Sequence, residues 1–176
     1  SGFEFTGTMG IRRDGVWSAG GSLTIGRKSM ASDGTTNAAI VTGGRTTAPA
    51  DPGSGYASSA TEIYDGISWN ADAVLTNPNE EMAGMGSVNA FLAAGGQPAV
   101  ASSGSYEFNG TAWSVGGALG TARYGGAGAG TQNAALFMGG WTGAPSPNYR
   151  CETEHYDGSA WSAGGALTRT TSPAAN

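Results

Sequence analysis

One motif recurs four times along this chain and sets the length of everything between its copies. The copies read Arg13-Asp14-Gly15-Val16-Trp17-Ser18-Ala19-Gly20-Gly21-Ser22-Leu23, then Tyr64-Asp65-Gly66-Ile67-Ser68-Trp69. They continue with Phe108-Asn109-Gly110-Thr111-Ala112-Trp113-Ser114-Val115-Gly116-Gly117-Ala118-Leu119 and Tyr156-Asp157-Gly158-Ser159-Ala160-Trp161-Ser162-Ala163-Gly164-Gly165-Ala166-Leu167. Their tryptophans are separated by 52, 44 and 48 residues. A second marker keeps the same step: Gly43-Gly44, Gly95-Gly96 and Gly139-Gly140 each close a short apolar run. Two markers in fixed order define an internal repeat, and a period of about 40 to 50 residues belongs to propeller blades.

Each repeat divides into four strands, A to D. In the third, strand A is expected over about Tyr124 to Thr131, with a tight turn at Gln132-Asn133 and strand B over Ala134 to Gly139. Strand C then runs over about Glu152 to Tyr156, and Asp157-Gly158 turns the chain into strand D with Trp161. Asp-Gly or Asn-Gly between strand-like runs is a hairpin signal in which both central residues take positive φ. Strand B is apolar without alternation, as for a central strand covered on both faces. Strand A is built from small residues, Gly125-Gly126-Ala127-Gly128-Ala129-Gly130 and Ala83-Gly84-Met85-Gly86, which suits the axis where blades converge. The tryptophan of strand D supplies the apolar counterweight: about 200 Å² buried at about 25 cal/mol/Å² gives at most ~5 kcal/mol per blade.

The order small-residue strand, apolar strand ending Gly-Gly, strand ending Tyr-Asp, then Trp resembles the kelch repeat over essentially the whole chain. The wording Asp-Gly-x-x-Trp-Ser-x-Gly-Gly-x-Leu, followed by Thr121-Ala122-Arg123, is similar to the degenerate kelch-like repeats of structural and tail proteins in marine bacteriophages. Repeat two departs from the pattern: it lacks Gly-Gly after Trp69, and Asn79 stands where Arg27 and Arg123 stand in the others. The expected fold is therefore all-β, a single small kelch-like β-propeller domain spanning 1–176. It has three full four-stranded blades over about 28–75, 80–119 and 124–167. Terminal strand-like pieces at 3–23 and 168–176 either join as a mixed fourth blade, closing a ring of about four blades, or pair with a neighbouring copy.

Composition narrows the function classes. The 176 residues carry a net charge of −5 and one lysine, Lys28, which removes the basic footprint of a nucleic-acid binder or of a protein on an anionic membrane. The expectation is no nucleic acid and no membrane insertion, since no run nears the ~18 apolar residues that span a bilayer. The 32 glycines beside 39% hydrophobic residues fit a folded chain with many turns and close backbone contacts. Cys151 is the only cysteine, so no intrachain disulfide can form.

Strand direction alternates, so the A–B and C–D turns share one face and the long, dissimilar B–C loops share the other with the D–A loops. Loops that vary on a repeated scaffold are where recognition is usually placed. Arg45, Asp51, Tyr56, Gln97, Trp141 and Tyr149 are the candidate binding residues from the B–C loops, and Arg27 and Arg123 those from the D–A loops. Aromatics and arginines on one rim can hold a glycan or a carboxylate by stacking and bidentate hydrogen bonding. The arginines can equally brace loop carbonyls, and the loops can merely pack on the ring.

Catalytic sets are weak. Some kelch-fold oxidases hold copper with paired His, paired Tyr and a Cys, and Tyr149, Cys151, His155 and Tyr156 invite the comparison. His155 is the only histidine, however, so no metal site or catalytic residue is assigned and no cofactor is expected. Glu80-Glu81 and Glu152-x-Glu154 read as solvated carboxylate pairs. Asn109-Gly110-Thr111 fits a glycosylation sequon but is explained by its turn.

The resemblance implies a non-catalytic structural or interaction module in a virion or outside the cell. As a capsid or tail protein it would contact other subunits and turn its loop face toward a host surface, with a host glycan as candidate ligand. The alternatives are a carbohydrate-active or mutarotase-like propeller enzyme and a fragment of an extracellular adhesin.

Overall fold

A computed structural model describes residues 19–47, 56–143 and 149–168. Its strands are β1 (Ala31–Thr35), β2 (Ala38–Thr42), β3 (Thr61–Tyr64), β4 (Trp69–Asp72), β5 (Met82–Ser87), β6 (Ala90–Gly95), β7 (Ser105–Phe108), β8 (Trp113–Val115), β9 (Ala127–Thr131), β10 (Ala134–Met138), β11 (Thr153–Tyr156) and β12 (Trp161–Ala163). They form three antiparallel sheets in chain order, β1-β2-β3-β4, β5-β6-β7-β8 and β9-β10-β11-β12. The fold is all-β and propeller-like, with each sheet a blade and strands A to D in the expected order. The terminal pieces 3–18 and 169–176, Trp17 among them, lie outside the described residues.

The inner strands touch: β5 packs on β1 on one side and on β9 on the other. Glycine makes this approach feasible. A Cβ on Gly84 would stand 2.6 Å from the Ser32 amide nitrogen, and one on Gly128 would stand 2.8 Å from the Gly84 carbonyl oxygen. The small-residue character of strand A is thus a spacing requirement between neighbouring blades, and its conformational cost is offset by the layers of core that the approach closes.

Two such layers exist. Between blades one and two lie Ile40, Leu75, Met82, Phe91, Ala93 and Phe108; between blades two and three lie Met85, Leu92, Leu119, Phe137 and Tyr156. The period-two alternation of β6 divides it between them, sending Phe91 and Ala93 to one layer and Leu92 and Ala94 to the other. Two of the motif tryptophans fasten their blade to the one before. Trp113 packs on Phe91 and Phe108, and its Nε1–H donates to Thr61 Oγ1 at 3.1 Å and Ala73 O at 3.0 Å in blade one. Trp161 packs on Phe137 and Tyr156 and reaches Ser105 Oγ of blade two at 3.5 Å.

Two local expectations differ in the structure. Strand A of blade three starts at Ala127 rather than Tyr124, because Gly125 turns left-handed at φ 63° and leaves Tyr124 as an isolated bridge to Trp141. The Asp-Gly connection is a four-residue loop, not a two-residue hairpin turn. Tyr64 pairs with Trp69 and Tyr156 with Trp161, and within the motif only the glycine (Gly66, Gly110, Gly158) is left-handed. The preceding Asp or Asn acts as a cap: Asp157 Oδ1 accepts from the Ser159 and Ala160 amides, as Asp65 Oδ1 does from Ile67 and Ser68 and Asn109 Oδ1 from Thr111 and Ala112. These backbone bonds hold the exposed carboxyls of Asp65 and Asp157 below the ordinary aspartate value.

Candidate functional site

The turn face is the same in every blade. Gly66 sits over Asn37, Gly110 over Asn89 and Gly158 over Asn133, with each glycine Cα close enough that an added Cβ would meet the asparagine of the A–B turn. The opposite face repeats its backbone but not its chemistry. Directly after each Gly-Gly, one residue pairs with the D–A loop: Arg45 bridges Lys28, Trp141 bridges Tyr124, and the Gln97 amide donates to Glu80 O at 2.8 Å. In blades one and three the same residue also bridges the B–C loop, Arg45 to Ala57 and Trp141 to Tyr149. Arg45, Gln97 and Trp141 are therefore one structural position occupied by a cation, an amide and an aromatic.

Around Arg45 the chemistry is ionic. Its Nη1 lies 2.8 Å from Glu80 Oε1 in the next blade, and its guanidinium stands 5.2 Å from the ring centre of Tyr56. Glu80 is buried, which corrects the reading of Glu80-Glu81 as a solvated pair; its Oε2 has no hydrogen-bond partner. The pair ties blade one to blade two while leaving the arginine about half exposed.

Around Trp141 the chemistry is aromatic. Trp141 pairs with Tyr124 on one side and Tyr149 on the other, and its ring centre lies 5.3 Å from that of Tyr124 at 41° and 5.7 Å from that of Tyr149 at 27°. Tyr124 is buried and Tyr149 is 75% exposed, which runs the stack from the core to solvent. The Trp141 Nε1–H is buried and has no acceptor. Beside the stack is a cavity of about 240 Å³ lined by Glu81, Tyr124, Gly125, Gly140, Trp141, Tyr149 and Arg150.

Arg27 and Arg123 are not part of this surface. The Arg123 side chain is 1% exposed; its Nη1 donates to Gly139 O and Glu152 O, both at 3.0 Å, and its Nη2 to Glu154 Oε1 at 2.5 Å. Arg27 repeats the arrangement on Gly43 O, Ala60 O and Glu62 Oε1. The other carboxylate oxygen accepts a D–A loop amide, Gly120 N in one blade and Thr24 N in the other. Both arginines brace loop carbonyls, and burial keeps them from a ligand although the Nε of each has no hydrogen-bond partner. Burial lowers the Arg27 pKa from its ordinary value, with Glu62 opposing. Glu154, read as part of a solvated pair, is buried for the same reason. In blade two Asn79 keeps only the bond to the Gly95 carbonyl, at 3.0 Å, and the buried Tyr106 stands where the other blades place the glutamate.

Nearer the axis, the residue two places after each of these three has left-handed backbone: Ser29 (φ 58°), Glu81 (φ 57°) and Gly125 (φ 63°). They form a short chain, Glu81 N donating to Ser29 O and Gly125 N to Glu81 O, both at 2.9 Å. Glu81 and Gly125 also border a second hollow of about 300 Å³ with Ser29, Met30, Met82 and Gly126. In the sequence Glu81 stands out only as half of the Glu80-Glu81 pair; its backbone conformation and its place between the two hollows set it apart.

Asp51 lies outside the described residues. His155 is exposed on β11, opposite Leu136 and Ser162, and Tyr156 donates its hydroxyl to Glu107 between blades. Burial, with the Glu107 bond next, raises the Tyr156 pKa. Among the described residues no three His, Cys, Asp or Glu side chains gather as metal ligands. No protein-family model matches the chain, and no curated protein sequence matches it.

Proposed function

We propose that the domain is a non-catalytic interaction module, a kelch-like propeller carried on a virion or outside the cell. It attaches to other subunits and turns its loop face to a partner surface. One observation carries this reading. Arg45, Gln97 and Trp141 occupy one backbone position in three blades and differ completely in chemistry, whereas the turn-face asparagines and glycines are alike. A scaffold that holds its frame constant and varies one rim is built for recognition at that rim.

The test compares two triple variants of the full chain for binding to virus particles and to intact host cells, read by co-sedimentation and flow cytometry. Arg45→Ala/Gln97→Ala/Tyr149→Ala is expected to abolish binding, and Asn37→Ala/Asn89→Ala/Asn133→Ala to leave it unchanged. Equal binding by both variants, or none by the unaltered chain, would overturn the reading. Antibody raised against the chain is expected to label intact particles in electron micrographs.

A further inference from the structure

We infer that the cavity beside Trp141 is a pyranose-binding subsite, with Tyr149 as its stacking platform and Glu81 as its hydrogen-bond acceptor. This deepens the loop-face reading and rests on it. Glu81 has a left-handed conformation, which is costly for any residue with a Cβ, and Gly125 shows that glycine serves at the same position. Ser29 shares that conformation and the backbone bonds that join Ser29, Glu81 and Gly125 run through it, but the Glu81 carboxylate itself makes no ion pair or side-chain hydrogen bond among the described residues. The side chain instead borders both hollows on the loop face. An unpartnered carboxylate at a cavity wall is an acceptor open to a ligand.

The remaining lining defines the chemistry. Tyr124 is buried, Trp141 half-buried and Tyr149 75% exposed, so Tyr149 is the most open ring of the stack. Beside it the cavity offers one acceptor, the Glu81 carboxylate, and one donor, the Arg150 guanidinium, which is 39% exposed and loosely paired with Glu152 at 3.7 Å. A ligand that lays C–H bonds on an aromatic face while donating to a carboxylate and accepting from N–H groups is a sugar ring: hydroxyls do both, and one ring fits about 240 Å³. A quaternary ammonium would meet Arg150 with like charge and could not accept from its guanidinium. A simple anion would be repelled by Glu81.

The experiment uses the full chain on an array of immobilised oligosaccharides ending in neutral hexoses, N-acetylhexosamines or sialic acid. Saturation-transfer NMR and calorimetry follow with the methyl glycoside of the strongest hit, and choline serves as the cation probe. Expected are binding of at least one pyranoside, saturation transfer on one face of its ring, and about a tenfold loss of affinity in Tyr149→Ala, the scale of one lost aromatic contact. Glu81→Gly is expected to lose affinity while its melting temperature stays the same or rises, which separates a lost contact from a damaged fold. No pyranoside binding, choline binding in its place, or pyranoside binding untouched by both variants overturns the inference. If the chain holds to particles or cells through the loop face but binds no pyranoside, this inference fails and the interaction reading stands; if it holds to neither, both fall.

Discussion

Arg123 Nη2 lies 2.5 Å from Glu154 Oε1 with both side chains buried, and Arg27 stands in the same relation to Glu62 at 2.7 Å. Each pair joins a D–A loop to strand C of the following blade and satisfies two carbonyls and one amide on the way. A buried charge left without its partner costs far more than the pair contributes. Glu154→Gln is therefore expected to lower stability by about 3 kcal/mol in denaturant titration. Arg123→Asn with Glu154→Tyr, which copies blade two, is expected to cost less than the sum of the single changes. Additive costs would mean that the two residues act independently.

The spacing between inner strands predicts an asymmetry between two adjacent positions. Gly84→Ala would place a methyl 2.6 Å from the Ser32 amide, and fixed backbone on both sides leaves no room to yield. The expected loss is about 2 kcal/mol or more, as for overpacking in a close-packed interior. Ser32→Ala, on the exposed part of β1, is expected to change thermal stability by less than about 0.5 kcal/mol.

Acid sensitivity follows from the capped turns. The folded-state values of Asp65 and Asp157 are depressed below 3.8 by backbone amides. Their contribution to stability is therefore fully present above that value and is lost as pH falls through the lower, folded one. Asn109 fills the same cap without titrating. Melting temperatures measured from pH 6 to pH 2 are expected to fall less steeply in Asp65→Asn/Asp157→Asn than in the unaltered chain, with the difference confined to pH below about 4. Parallel profiles would show that these carboxylates do not drive the acid transition.

Glu81→Gly and Ser29→Gly each relieve a left-handed residue that carries a Cβ. Each is expected to raise stability by up to about 1 kcal/mol, the relief of strain partly offset by the freedom glycine adds to the unfolded chain. Matched chemical denaturation of the two variants measures it, and a loss in either would show that its side chain supports the fold.

What was legible in the sequence was whatever repeats. The tryptophan step and the Gly-Gly marker located the four strands of each blade, because a blade buries its faces only against neighbours and must present the same contacts each time. Strand ends were less legible: a Gly-rich run such as Gly125-Gly126-Ala127 does not announce which glycine turns left-handed. The buried ion pairs leave a trace in the sequence, since Arg27 and Arg123 recur with Glu62 and Glu154, and repeat two lacks both partners. Carboxylates beside strands read as solvated, and only the register of β3 and β11 turns these two inward. Of the cavity, Trp141 and Tyr149 were legible as B–C loop residues, whereas Glu81 is 68 residues from Tyr149 in sequence and joins it only when blades two and three pack.

The replacement of Arg and Glu by Asn79 and Tyr106 in the middle blade also bears on how such a chain can change by descent. The two positions lie in different strands of one repeat, so a recombination event that crosses over between them would join an arginine to a tyrosine or an asparagine to an unpartnered glutamate. Copies of the repeat can be exchanged or multiplied only as blocks that keep the D–A loop with the strand C that follows it. The inherited unit therefore begins at the loop before the inner strand, one step out of phase with the motif that is most visible in the sequence.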